Sequence, residues 1–87
     1  MELKYICDNK RHLICEPYTE ENLHLMAEQL GIKRHWFHLH IYPHYDIPKK
    51  RIEDIQQKCE IVRTKEIITI IKKYQKNKVK FHTNKVY

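Results

Sequence analysis

Fifteen residues from Ile32 to Asp46, IKRHWFHLHIYPHYD, decide how this chain is read. They hold four histidines (His35, His38, His40, His44), the single tryptophan Trp36 and the carboxylate of Asp46, directly after the cations Lys33 and Arg34. Taken as one extended strand, the stretch puts Phe37, Leu39 and Ile41 on an apolar face and Trp36, His38, His40 and Tyr42 on the other. The apolar face is expected in the core, and the histidine face is expected to meet a ligand.

Working outward toward the N-terminus, residues 3–7 (LKYIC) read as a first strand, broken at the turn-prone pair Asp8-Asn9. Residues 11–15 (RHLIC) read as a second strand that begins near His12 and ends before Pro17. Thr19 is a good N-cap, and Glu20 and Glu21 follow where the helix dipole favours negative charge. Leu23, Met26, Ala27 and Leu30 recur at helical spacing as a buried stripe, with His24 at its edge and Gly31 at the C′ position.

Toward the C-terminus, Pro43 and then Asp46-Ile47-Pro48 mark a loop carrying His44, with Pro48 suited to a first helical position. A second helix is expected over residues 49–59, burying Ile52, Ile55 and Cys59. Its leading Lys49, Lys50 and Arg51 oppose the dipole, a cost that a bound anion or Asp46 would offset. Residues 60–63 read as a short strand, and Thr64 as the cap of a third helix with Ile67, Ile68, Ile71 and Tyr74 inward. The basic tail, residues 76–87, alternates around Val79 and Phe81 as a lysine-protected edge strand. The alternation predicts one small single α/β domain over residues 1–87, with a short, partly parallel sheet packed with about three helices.

Eighty-seven residues can enclose one modest core, so any pocket is expected to be shallow or completed by a second copy in a homodimer. A formal charge of +6 points to anionic partners, since a positive field concentrates them. Neither a signal-like apolar run nor a membrane-length segment is visible, and three cysteines without a C-x-x-C spacing argue against a disulfide framework. A cytoplasmic chain with reduced thiols is the expectation.

Three chemistries fit the polar residues. His38, His40, His44 and Asp46 offer nitrogen and oxygen ligands for zinc or manganese. Metal-free phosphodiester cleavage needs a proton acceptor, a proton donor and cations that steady the charged phosphorus, and His12, His24, His44, Tyr45, Lys33, Arg34 and Arg51 supply such pieces. Simple binding would use Trp36, Tyr42 and Tyr45 to stack on bases.

The run Leu23-His24, Leu30-Gly31-Ile32, Arg34, Trp36-Phe37, then His44-Tyr45-Asp46 and Arg51, resembles the small phage and bacterial domain catalogued as domain of unknown function 4031, over about residues 3–71. The segment Arg63-Thr64-Lys65-Glu66 matches its later R-x-E-like motif, and His12 matches an early histidine. The chain departs from the pattern at Asp8-Asn9-Lys10, where an early arginine-rich loop is shortened, and at His38, where glutamine is common. The resemblance implies a phage-type counter-defence protein of the host cytoplasm, expected to bind a cyclic oligonucleotide immune signal and cleave its phosphodiester by metal-independent histidine acid/base chemistry. On that view His12, His24 and His44 transfer protons, Arg34 and Arg51 clamp phosphate, Trp36 stacks, and Tyr45 and Asp46 orient phosphate or imidazole. No metal or other cofactor is expected. The alternatives are a sponge that only sequesters a cyclic dinucleotide or ADP-ribose-type ligand, and a small nucleic-acid-binding protein.

Overall fold

In the computed structural model, backbone is described for residues 2–86 and side chains for residues 2–76. The stretch expected as one central strand is instead a 3-10 turn, Arg34–Trp36, followed by a hairpin of β3 (Phe37–His38) and β4 (His44–Asp46). Pro43 explains the break, because it has no N–H to give to a ladder. Its carbonyl accepts from the Tyr18 hydroxyl at 2.6 Å, which pins the return of the hairpin. Leu39 and Ile41, expected in the core, lie in the connection and are 67% and 76% exposed. His44 therefore sits on a strand and not in a loop.

Five strands form one mixed sheet in the order β3-β4-β2-β1-β5. β1 (Lys4–Cys7) and β2 (His12–Glu16) pair antiparallel, as do β2 and β4, while β5 (Glu60–Ile61) runs parallel to β1. Register then assigns side chains to faces. His12 lies opposite Asp46 and Leu13 opposite Tyr45, so the period-two alternation puts His12, His38, His44 and Asp46 on one face. Leu13, Phe37 and Tyr45 take the other.

Helix α1 (Glu20–Leu30) covers the Tyr45 face. Thr19 caps it by accepting from the Asn22 N–H at 3.0 Å, and Gly31 ends it at φ 75°, a left-handed conformation that glycine adopts at little cost. Leu23, Met26, Ala27 and Leu30 are buried, as their spacing predicts. The second helix is shorter than expected. A 3-10 turn at Lys49–Arg51 precedes α2 (Ile52–Gln56), of which only Ile55 is fully buried. The three basic residues stay outside the α-helix, where the dipole conflict is smaller.

Helix α3 (Thr64–Val86) covers the histidine face with Ile67 and Ile71. The Arg63 N–H donates to Glu66 Oε1 at 2.9 Å, the reciprocal half of a capping box, so Arg63 is the cap and Thr64 is freed for another partner. Helix continues through the segment expected as an edge strand, and the side chains of Val79 and Phe81 lie outside the described residues. The protein is thus an α/β fold with three α-helices on a partly parallel sheet. The core runs through Ile6, Leu13, Ile14, Leu23, Met26, Ile47, Ile55 and Ile71, each aliphatic chain contributing about 1.5–3 kcal/mol of burial. None of the helices described is long and apolar enough to cross a membrane.

Candidate functional site

The site on the α3 face begins with Asp8, which is 1% exposed at the turn between β1 and β2. Its Oδ1 accepts from the backbone N–H of Lys10 at 2.9 Å and of His12 at 3.1 Å, which fixes the turn and the entry into β2. Its Oδ2 accepts from the Thr64 hydroxyl at 2.6 Å and meets His12 Nδ1 at 2.6 Å. Burial pushes the carboxyl up, but the bonds from Thr64, His12 and the two backbone N–H groups outweigh it and hold Asp8 below the usual carboxylate range. An ionised Asp8 at the start of α3 also sits where the helix dipole favours it.

His44 is oriented by backbone. Its Nδ1 lies 2.8 Å from the Tyr42 carbonyl, which can only accept, so Nδ1 carries the proton. In the neutral ring this leaves a lone pair on Nε2, and Nε2 lies 3.3 Å from Oδ1 of Asp46. The other carboxylate oxygen, Oδ2, lies 2.9 Å from His38 Nε2. His38 and His44 stack with ring centroids 5.3 Å apart, as their cross-strand pairing dictates.

The two supported imidazoles meet. His12 and His44 ring centroids are 5.2 Å apart, and one ligand atom from each of His12, His44 and Asp46 lies within 4.8 Å of the others. Because Asp8 takes Nδ1 of His12, Nε2 is the nitrogen left free on that ring as well. A hollow of about 110 Å³ beside them is lined by His12, Tyr42, His44, Thr64 and isoleucines of α3. Its walls shield the pair without closing it, since the side chains of His12 and His44 remain 35% and 19% exposed. Among the described residues, neither Asp8 nor Asp46 pairs with a Lys or Arg.

His24 does not join this group. It projects from α1 onto the opposite face of the sheet, where Nδ1 meets the Tyr45 hydroxyl at 2.8 Å and the ring packs edge-on against Phe37. The three imidazoles expected to converge are therefore two on one face and one on the other, because residues 44 and 45 of β4 necessarily point opposite ways. Tyr45, expected to orient phosphate or an imidazole, meets His24 through its hydroxyl. Burial raises the Tyr45 phenol, and the neighbouring Arg34 cation partly offsets the rise. His24, Arg34 and Tyr45 line an open cavity of about 460 Å³ with Glu21 and Glu28.

Arg51, expected on phosphate, is engaged elsewhere. It donates to the Leu30 carbonyl at 2.9 Å and pairs with Asp54 at 2.9 Å, tying the end of α1 to the start of α2. Trp36 lies under Arg11, whose guanidinium carbon is 5.7 Å from the ring centroid, so one of its faces is taken by a cation of the protein itself. His40 is exposed on the hairpin connection, 6.2 Å from His38 between centroids, and lies outside the cluster of possible ligands.

Asp8 and Thr64 are the residues that the sequence did not flag for the site, whereas His38 stands in it as a candidate metal ligand. Asp8 carried one signal, its place four residues before His12 in a tight turn. Thr64 carried none, because 56 positions separate it from Asp8.

A family model described as a protein of unknown function (DUF4031) matches residues 6–74, a span that includes Asp8, His12, His38, His44, Asp46 and Thr64. No curated protein and no solved structure matches the chain.

Proposed function

The chain belongs to the DUF4031 family, and from that premise we propose that it binds a small anionic nucleotide, a cyclic oligonucleotide immune signal, and cleaves its phosphodiester at the His12–His44–Asp46 centre. The observation that carries this reading is the pinning of both Nδ1 atoms. Asp8 holds one and the Tyr42 carbonyl holds the other, so two Nε2 atoms are presented on one face beside a carboxylate. An imidazole with one nitrogen fixed and the other free can take a proton and return it, a contribution of roughly 10²–10⁴-fold for each. Hydrolysis forms a phosphorus–oxygen bond to water and breaks the one to the departing ribose oxygen, so one proton is removed and one delivered. The chain's +6 charge supports an anionic ligand. A counter-defence role in a host cell is the biological setting this chemistry fits.

The cavity at His24, Tyr45 and Arg34 favours a second reading, a sponge. It is larger than the hollow at His12 and lies on the other face of the sheet, so a ligand held there is sequestered without reaching the paired imidazoles.

Incubation of the purified protein with a panel of cyclic dinucleotides, with and without chelator, separates the two. Linear product supports cleavage. Intact ligand released on heat denaturation supports sequestration, and the absence of both product and retained ligand contradicts both.

A further inference from the structure

The contact between His44 Nε2 and Asp46 Oδ1 pairs two acceptors. The Tyr42 carbonyl fixes the proton of neutral His44 on Nδ1, so nothing on either atom can donate across the 3.3 Å gap. His38 Nε2 stands beside the other carboxylate oxygen, Oδ2, at 2.9 Å. His44 Nε2 and Asp46 Oδ1, two acceptors 3.3 Å apart, would both attract a positive charge placed between them.

We propose that His12 Nε2, His44 Nε2 and Asp46 Oδ1 bind a divalent transition-metal ion, zinc the leading candidate. A tetrahedral ion about 2.0–2.1 Å from each of two ligands holds them roughly 3.3–3.4 Å apart, which is the His44–Asp46 separation. The third ligand comes from β2, directly across from Asp46 in the register, and the three groups already lie within 4.8 Å of one another.

The surroundings are those of a metal centre. Asp8 accepts from His12 Nδ1 and the Tyr42 carbonyl from His44 Nδ1, the outer partners that orient metal-bound imidazoles. His38 lies against the second oxygen of Asp46 at 2.9 Å, which leaves the first to ligate. Asp8 is itself held by Thr64 from α3, so the outer partners are tied to the packing of the fold. Charge agrees as well, since two carboxylates stand beside the rings with no Lys or Arg paired to either among the described residues. Two imidazoles and one carboxylate leave a coordination position open, the arrangement of a reactive and not a purely structural ion.

This inference rests on the reading that the His12–His44 face is the reacting centre, and it names that centre's cofactor. If an ion were bound, His12, His44 and Asp46 would hold it and it would activate a water and steady the charged phosphate, with the proton released by the water passing to the departing ribose oxygen. Ligation and proton transfer by the imidazoles are alternative uses of the same Nε2 atoms.

The test is calorimetric titration of metal-stripped protein with Zn²⁺ and with Mn²⁺, without nucleotide, on the wild type and on His12→Gln, His44→Gln, Asp46→Asn, Asp8→Asn and His40→Ala. Circular dichroism and thermal melting confirm that each variant is folded. Expected are one ion per chain in the wild type, a loss of at least 100-fold in affinity for the three ligand variants, a loss of about 10–100-fold for Asp8→Asn, and no change for His40→Ala. Absence of binding overturns the proposal, as does binding that survives His44→Gln and Asp46→Asn in folded protein. If the ion binds as expected but no nucleotide is cleaved, the metal site stands and the phosphodiesterase reading falls. Turnover by metal-stripped protein in chelator leaves the phosphodiesterase reading intact and removes the ion.

Discussion

Asp8 Oδ2 and His12 Nδ1 stand 2.6 Å apart, one at the end of β1 and the other at the start of β2, with the Thr64 hydroxyl closing on the same oxygen. This contact links the fold to its chemistry, because the residue that sets the His12 ring also fastens α3 to the sheet. Asp8→Asn replaces an acceptor with an amide that two donors face or, if flipped, disrupts the turn. The expected cost is about 1–3 kcal/mol of stability together with a fall in activity, read by denaturant unfolding and by turnover. A variant with full activity and unchanged stability would contradict both roles.

Tyr45 and His24 belong to the other face. Tyr45→Phe removes the hydroxyl that meets His24 at 2.8 Å and should cost about 1 kcal/mol of stability, with the rate of the chemical step unchanged. Binding at the cavity beside Arg34 is where this variant should differ from the wild type if a ligand occupies that face. A titration under single-turnover conditions distinguishes rate from affinity.

Arg51→Ala should behave as a stability variant. The guanidinium ties the Leu30 carbonyl to Asp54, so its loss leaves the end of α1 without a partner and should lower stability by about 1–2 kcal/mol. Affinity for nucleotide, measured on the folded fraction, should be unchanged. A specific loss of affinity with the melting temperature preserved would restore the phosphate-clamp role.

The cysteines set an alkaline limit. Burial pushes the thiols of Cys15 and Cys59 up to about 12, whereas an unfolded thiol ionises at about 8.5. The native state therefore keeps its thiol protons where the unfolded state loses them, so this contribution is complete below the unfolded value and declines as pH rises toward 12. Melting temperature should fall between pH 9 and pH 11 by more in the wild type than in Cys15→Ala after correction for the baseline stability of each. Slow reaction of the native thiols with a disulfide reagent at pH 8 checks the same point.

Much of the scaffold was legible because local signals and tertiary packing agree. Thr19, the stripe from Leu23 to Leu30 and Gly31 predict α1 and its limits, and β1 and β2 follow from short apolar runs bounded by Asp8-Asn9 and Pro17. The stretch from Ile32 to Asp46 misled, because its alternating apolar residues imitate a strand while Pro43 forces a hairpin, leaving Leu39 and Ile41 in solvent. At the site, the importance of His12, His44 and Asp46 could be read from residue type, but their grouping could not. It depends on β2 pairing with β4 so that His12 faces Asp46, a relation across 34 positions that no local pattern encodes. The same pairing sends Tyr45, and His24 with it, to the opposite face.

The most direct test of the account compares cleavage of a cyclic dinucleotide by wild-type protein, His44→Gln and His24→Gln, each shown to be folded. The His12–His44–Asp46 face performs the chemistry if His44→Gln loses at least about 10²-fold in rate while His24→Gln stays within about threefold of the wild type. An equal loss in both variants, or full activity in His44→Gln, would contradict it.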